Sequence, residues 1–359
     1  MTLDDLGRRA AKGVRRASDP EFAPGGDPRE RFDRVRARKQ RNQRIGVVVL
    51  VALIAVPAIV FAARALRPTS VPVATPALPG GRIIFGVWHS GLQVADWFTS
   101  DPDGSDVTDL HVTATCAAWW PDGNSIWITN DAAIGPGQPL RPAIIRPDGS
   151  GLRPLDATKD PDLNLGCGDA TSDGQRLVLE GFNDAKHPVD GIYSVRASDG
   201  GDLFRLTNGH DGYPQYSPDD SQVVFLRAKA GIIPDGSGAL FVVNADGTGL
   251  HRITPWGDSF LQQSWSPDGT WILFQKPYGQ PYLVHPDGTD MHPLPVSLPP
   301  GAGARQLAWS PDGNWIVFSL NRGDEASVAV ARADGSDLRV IVDEPGKLES
   351  DPHWGSPPA

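Results

Sequence analysis

The chain has 359 residues, of which 40% are hydrophobic, and its 40 glycines and 34 prolines argue against a mainly helical protein. The net charge of −10 hides two opposite regions: residues 1–44 carry 13 Lys and Arg against 7 Asp and Glu, whereas residues 79–359 carry 18 against 36. The large acidic part lacks the dense positive charge that binding to nucleic acid requires.

The first 44 residues are short and polar and form the predicted cytoplasmic tail. Apolar side chains recur there at helical spacing with basic residues between them: Leu3, Leu6, Ala10, Val14 and Ala17. Two interpretations remain open. The segment is either a basic helix for a cytoplasmic partner or the inner leaflet, or a solvated tail that only sets the topology.

Residues 45–63 form an uncharged apolar run of 19 residues, which is enough to cross a bilayer core of about 30 Å as a helix. Seven Lys and Arg lie within residues 31–44, but only Arg64 and Arg67 follow closely. The positive-inside rule therefore predicts a single-pass membrane protein with a cytoplasmic N-terminus and an extracytoplasmic remainder. The alternative is a cleavable signal peptide, although the leading segment and the apolar run are both longer than is usual for one.

Residues 64–79 contain Pro68, Pro72, Pro76 and Pro79. Prolines at this spacing favour an extended, polyproline-like chain. We therefore expect a spacer between the predicted transmembrane helix and an outer domain that covers residues 80–359.

The outer region is built from repeats. A hydrophobic segment followed by an X-Asp-Gly turn recurs six times, and the turn glycines are Gly104, Gly149, Gly200, Gly247, Gly288 and Gly335. Their steps of 45, 51, 47, 41 and 47 residues are typical of a repeat architecture.

Most repeats begin with an aromatic residue and a turn like Ser-Pro-Asp-Gly, as in Trp265–Gly269 and Trp309–Gly313, and Ala170–Gly174 is a weaker copy. Proline presets the first turn position, aspartate bonds to its own backbone, and glycine accepts the left-handed conformation. Short runs of β-branched and aromatic residues follow, and they are predicted to be strands: Ile126–Thr129, Leu177–Leu179, Val223–Leu226, Trp271–Phe274 and Trp315–Phe318. Four strands per repeat make a blade, so we expect an all-β, six-bladed β-propeller whose aromatic residues pack between blades.

The two ends of the outer region complete one blade. Phe85 occupies the strand register of Phe225 and Phe274, so Arg82–Val87 is predicted to be a second strand without a first strand before it. Ser350–Trp354 matches a first strand. Closure by this C-terminal strand would hide the edges of the sheet.

The repeated pattern resembles the WD40-like (PD40) repeat of TolB-type propellers, most clearly at Val243–Gly249 and Arg252–Thr254. The resemblance covers about residues 80–359 and implies a six-bladed propeller. TolB-type proteins carry an α/β domain before the propeller, where this chain has the predicted helix and spacer. Because of this difference, the resemblance implies nothing about the partners of this chain. Related propellers also accompany prolyl oligopeptidase-like hydrolases, but the hydrolase part has no counterpart here.

The sequence contains none of the common hydrolase, zincin or P-loop motifs, and it predicts no metal and no cofactor. Asp101–Asp106 superficially suggests a calcium loop but lacks the length and the closing glutamate of an EF-hand, so we expect a turn. Cys116 and Cys167 occupy equivalent positions in neighbouring repeats. They are compatible with a disulfide, with two buried thiols, or with a redox or metal role.

First strands lie nearest the axis of a propeller, and their polar side chains are the candidate binding residues: Asp169, Gln215, Gln262, Ser264, Gln306, Asp351 and His353. These residues either form a ligand funnel, in which Asp169, Asp351 and His353 can hold a cation, or they solvate the channel and bond to the backbone. Only a structure separates the two interpretations.

The sequence favours a membrane-tethered, extracytoplasmic interaction or sensing module that binds a protein, peptide or glycan without catalysis. An enzyme of the lyase or lactonase type, with a site at the channel mouth, is the alternative. A third hypothesis makes the tail the output of a transmembrane sensor. Fold alone does not decide among these.

Overall fold

The structure is a computed structural model that describes residues 77–89, 94–130, 140–155, 158, 160, 163–183, 189–229, 237–257 and 259–357. The predicted tail (1–44), transmembrane helix (45–63) and almost all of the spacer (64–79) lie outside these residues. In the described ranges we find no helix with the length and apolar character needed to cross a bilayer. Ala77–Ala359 forms one compact unit.

The described strands form six antiparallel blades, which confirms the predicted all-β, six-bladed propeller. Blade 1 contains β1 (Arg82–Trp88), β2 (Ala95–Ser100), β3 (Thr108–Ala114) and the last strand, β24 (Glu349–Gly355). Blade 2 contains β4 (Cys116–Trp119), β5 (Ile126–Asn130), β6 (Arg141–Ile145) and β7 (Arg153–Pro154). Blade 3 contains β8 (Asn164–Ala170), β9 (Arg176–Phe182), β10 (Gly191–Arg196) and β11 (Phe204–Arg205).

The other three blades repeat this order. Blade 4 contains β12 (Asp211–Tyr216), β13 (Gln222–Arg227), β14 (Ser237–Asn244) and β15 (His251–Arg252). Blade 5 contains β16 (Ser259–Trp265), β17 (Ile272–Lys276), β18 (Gln280–Val284) and β19 (His292–Pro293), with a 3₁₀ turn at Pro277–Gly279. Blade 6 contains β20 (Gly303–Trp309), β21 (Trp315–Arg322), β22 (Glu325–Arg332) and β23 (Arg339–Val342).

Closure of the ring by the C-terminal strand is confirmed. β24 pairs antiparallel with β1, so that Trp354 lies opposite Ile83 and His353 lies opposite Ile84. The Trp354 indole Nε1 donates a hydrogen bond to the Gly80 carbonyl over 3.3 Å. Blade 1 is thus assembled from segments more than 250 residues apart in the chain.

The core lies between blades, because each sheet buries both faces. The buried apolar side chains of the described residues group into six clusters, and every cluster joins two neighbouring blades. Five of the six first strands end in an aromatic residue that packs in the cluster shared with the preceding blade, as Trp119, Trp265 and Trp354 do, and β8 ends in Ala170 instead. This confirms the inter-blade packing predicted for these aromatic residues.

The Asp-Gly turns join strands within a blade and also touch the preceding blade. In the first turn, the Asp103 carboxylate accepts the Ser105 amide at 3.0 Å and its hydroxyl at 2.6 Å, as a turn rather than an EF-hand would. Gly149 adopts a positive φ of 76° and lies directly against the Leu110 carbonyl of blade 1. The same contact joins Gly335 to the Pro295 carbonyl of blade 5.

The propeller has two different ends. The turns after first and third strands lie at one end, here called the Asp-Gly end, and the connections after second strands and between blades lie at the opposite end. The chain enters β1 at the Asp-Gly end, where the Arg82 guanidinium pairs with the Asp106 carboxylate at 2.7 Å.

Candidate functional site

The candidate residues all lie on the innermost strands, and they fall into two layers around the axis. The first layer is the residue directly before the aromatic position, which we call the tie position. The second layer is two residues earlier and is called the bulge position, because the pairing register shifts there in most blades. The bulge positions are Cys116, Cys167, Tyr213, Gln262, Gln306 and Asp351.

Side chains at four tie positions bond to the backbone of the next blade. The amide of Trp119 donates to His353 Nδ1 over 3.3 Å, and the amide of Tyr216 donates to Asp169 Oδ2 over 3.1 Å. Gln215 Oε1 accepts the Trp265 amide at 2.8 Å. In the fourth tie, the Trp309 amide lies 3.5 Å from Ser264 Oγ. These four candidates therefore hold neighbouring first strands together.

The remaining candidates meet around the Asp351 carboxylate. Its Oδ1 accepts hydrogen bonds from Gln306 Nε2 at 2.5 Å and from Gln262 Nε2 at 3.2 Å. Its Oδ2 accepts the Trp88 indole at 2.6 Å and the Ser350 hydroxyl at 3.2 Å. One carboxylate thus collects donors from blades 1, 5 and 6, and we call this group the Asp351 knot.

The backbone at the bulge positions explains why these side chains converge. Tyr213, Gln306 and Asp351 have φ values of 54°, 50° and 52°, a left-handed conformation that non-glycine residues rarely adopt. The turn of the backbone allows two residues of the first strand to oppose one residue of the second strand. The Gln306 and Asp351 side chains project from two of these positions and bond to each other.

Sequence analysis missed Glu180, which lies on β9 and reaches the same layer. Its Oε1 accepts the Cys167 amide at 3.2 Å, and its Oε2 lies 3.4 Å from the Tyr213 amide of the next blade. Gly166 leaves room for it, since a Cβ there would collide with the carboxylate. A glutamate inside an otherwise apolar strand, Arg176–Phe182, was the only signal that the sequence offered.

Burial dominates the electrostatics of these groups. It raises the pKa of Asp169 and of Glu180 to about 7 and that of Asp351 to about 6, although hydrogen bonds to each carboxylate act in the opposite direction. Burial also lowers the pKa of His353 to about 4, so that its Nδ1 stays free to accept the Trp119 amide. Burial, and then the charges of Glu180 and Asp351, raise the pKa of the Tyr213 phenol.

Cys116 and Cys167 are joined by a disulfide in the structure, with Cα atoms 5.6 Å apart. The separation lies inside the range that a disulfide spans without movement of the backbone. The bond links the first strands of blades 2 and 3 at the bulge layer.

The structure does not gather the predicted cation ligands into one site. Asp169 and His353 accept backbone amides, and Asp351 belongs to the knot, so the three bond to different partners. Among the described residues, no three His, Cys, Asp or Glu side chains are grouped to hold a metal ion.

Solved structures show which proteins share this fold, while no curated protein matches the sequence. TolB from Acinetobacter baumannii is 18% identical, with 77% of this chain and 68% of that chain covered and a TM-score of 0.59. A putative TolB from Agrobacterium tumefaciens is 14% identical, with 77% and 100% covered and a TM-score of 0.56. An oligogalacturonate lyase in complex with manganese is 16% identical, with 70% and 71% covered and a TM-score of 0.50.

At these identities the likeness shows the fold alone, and the neighbours include an enzyme. The sequence itself carries the family signature. The profile of PD40, the TolB beta propeller domain, matches residues 169–357, which is more than half of the chain. The protein belongs to the PD40 family of TolB-like β-propellers.

Proposed function

We propose that the protein is a membrane-tethered, extracytoplasmic module that binds a protein, peptide or glycan with its propeller and catalyses no reaction. One observation carries the proposal: the polar side chains along the axis bond to one another and to the backbones of neighbouring blades. The polar side chains along the axis therefore stabilise the ring. We expect a partner to bind at one of the two ends of the propeller.

The opposite end is the better binding surface of the two. At the Asp-Gly end, glycines such as Gly149 are pressed against the neighbouring blade, and the chain enters there. At the opposite end, the connections between second and third strands differ in length, from two residues between β21 and β22 to ten between β5 and β6. Surface connections of variable length on a rigid scaffold are where propellers and other folds carry recognition.

The enzyme alternative requires acid, base or metal-binding groups that are free to meet a substrate at the channel mouth. Asp169 and His353, which would supply them, accept the backbone amides of Tyr216 and Trp119 instead. This arrangement favours binding over catalysis.

Site-specific photo-crosslinking in intact membranes tests the binding surface. A photoreactive residue placed at Lys229, Asp324 or Lys347 at the opposite end is expected to capture a partner that mass spectrometry can identify. Matched positions at the Asp-Gly end, Asp148 and Asp246, are expected to capture nothing. Adducts formed only from Asp148 and Asp246 would reverse the assignment of the two ends.

The tether is part of the proposal and has its own test. Residues 45–63 are proposed to anchor the chain, with residues 1–44 in the cytoplasm and residues 64–79 as the spacer. The full chain is then expected to stay with membranes in alkaline carbonate, and protease added outside is expected to remove only the propeller. Release by carbonate would refute the anchor. If deletion of residues 1–30 leaves any signalling unchanged, the tail only sets the topology.

A further inference from the structure

The axial ties are missing at two of the six junctions between neighbouring first strands. The tie positions of blades 2 and 6 are Ala118 and Ala308, whose methyl side chains cannot accept the amide of the next blade. The other four junctions carry His353, Asp169, Gln215 and Ser264.

Each junction without a tie has a direct link at the bulge layer instead. Between blades 6 and 1, Gln306 Nε2 donates to Asp351 Oδ1 over 2.5 Å. Between blades 2 and 3, the link is the disulfide of Cys116 and Cys167. The Gln306–Asp351 hydrogen bond and the Cys116–Cys167 disulfide thus occupy equivalent places at the two junctions that lack a tie.

We propose that the disulfide is the axial clamp of the junction between blades 2 and 3, and that reduction by an external dithiol opens the propeller selectively at this junction. Without the bond, the junction keeps its apolar cluster and, near the axis, a hydrogen bond of 3.2 Å from the Thr129 hydroxyl to the Gly166 carbonyl. Farther along the strands, the amides of Leu140 and Leu165 still bond across the junction, to Asn164 Oδ1 and to the Leu140 carbonyl. Every other junction keeps its axial link. The clamp makes the propeller sensitive to redox conditions at one defined place.

Glu180 extends the effect of the clamp to blade 4. The same carboxylate accepts the Cys167 amide and lies 3.4 Å from the Tyr213 amide. When the strand that carries Cys167 moves, the carboxylate loses one of its two backbone partners. The position of Tyr213 at the axis therefore depends on the state of the disulfide.

The disulfide is reduced by thiol–disulfide exchange, and the dithiol supplies both electrons. Cys167 is partly exposed whereas Cys116 is 8% exposed, so a thiolate attacks Cys167 Sγ, the S–S bond breaks, and Cys116 leaves as a thiolate. The second thiol of the reagent then attacks the mixed disulfide and releases Cys167. The protein gains two electrons and two protons, and the dithiol becomes a disulfide.

Hydrogen exchange of the full chain in detergent micelles, with and without dithiothreitol, tests the clamp. Reduction is expected to speed amide exchange in β4 and β8 by roughly tenfold or more, while β16 and β20 change little. An Ala118→Gln variant supplies the missing acceptor and is expected to suppress the increase. The matched Ala308→Gln variant, at the other alanine junction, is expected to leave it unchanged.

Several results would overturn the proposal. One is an isolated protein in which both cysteines alkylate without reductant. Others are no change on reduction, an equal increase in all blades, and an increase that Ala308→Gln suppresses as well as Ala118→Gln.

Discussion

The glycine of an Asp-Gly turn can meet two separate requirements, and Gly149 meets both. Gly149 has a φ of 76°, and a Cβ at this position would overlap the Leu110 carbonyl of the neighbouring blade. Gly323 has a similar φ of 64° but has no atom within 4 Å of the place where a Cβ would lie. The two glycines therefore separate backbone strain from contact between blades.

Gly149→Ala is expected to lower the free energy of unfolding by about 3–5 kcal/mol, because strain and overlap add. Gly323→Ala is expected to cost only about 1 kcal/mol, which is the strain alone. Urea unfolding followed by tryptophan fluorescence measures both values. Equal losses in the two variants would show that the contact with Leu110 contributes nothing.

At the scale of elements, closure depends on the Asp351 knot as well as on strand pairing. β24 pairs with β1, and the Asp351 carboxylate then binds donors from Trp88, Gln262 and Gln306. The last strand is thereby fixed to blades 1, 5 and 6 through a single side chain.

Asp351→Ala leaves four donors without their acceptor and is expected to cost about 3–5 kcal/mol of stability. Exchange of β24 amides is expected to become faster than exchange in β10, which contributes no group to the knot. Asp324→Ala, at an exposed hairpin of blade 6, is the matched control and is expected to change neither quantity. Unaltered β24 protection in Asp351→Ala would leave strand pairing as the sole cause of closure.

The order of the strands was predictable from the sequence, but the hydrogen-bond partners of the polar residues on the first strands were not. Turn glycines at regular spacing and the register of Phe85 and Trp354 were sufficient for six blades and their closure, since turn chemistry is local. The candidate residues were found on the correct strands. Their mutual bonds were not foreseen, because positive φ at Tyr213, Gln306 and Asp351 arises from tertiary packing and leaves no glycine as a signal. Glu180 was missed for the same reason, as its partners are far away in sequence.

For the molecule as a whole, buried carboxyls set how stability responds to pH. Folding raises the pKa of Asp169 and Asp351 from 3.8, and that of Glu180 from 4.5, so the folded state holds protons that the unfolded state has released. Their stabilising effect is complete below their unfolded values and is lost as pH rises to about 7. His353, lowered from 6.5 to about 4, acts in the opposite direction in part of this range.

The melting temperature of the propeller is therefore expected to fall between pH 5 and pH 8, since three carboxyls outweigh one histidine. The turn aspartates do not interfere: hydrogen bonds lower the pKa of Asp148, for example, so its contribution changes only at more acidic pH. Asp169→Asn and Glu180→Gln keep an acceptor oxygen without the charge, and each is expected to flatten the pH profile. A melting temperature that rises over this interval would contradict the expected ionisation of these carboxyls.

Closure by β24 also has a consequence for how the protein is made. Trp88 meets Asp351 across 263 residues of chain, so blade 1 stays incomplete until the ribosome has produced residues 349–355. Until then the inner edge of β1 offers unpaired amides and carbonyls, a template for pairing with other chains. A nascent chain with this edge is expected to need shielding during synthesis. Truncation directly before β24 would leave five complete blades and an unpaired strand edge on β1.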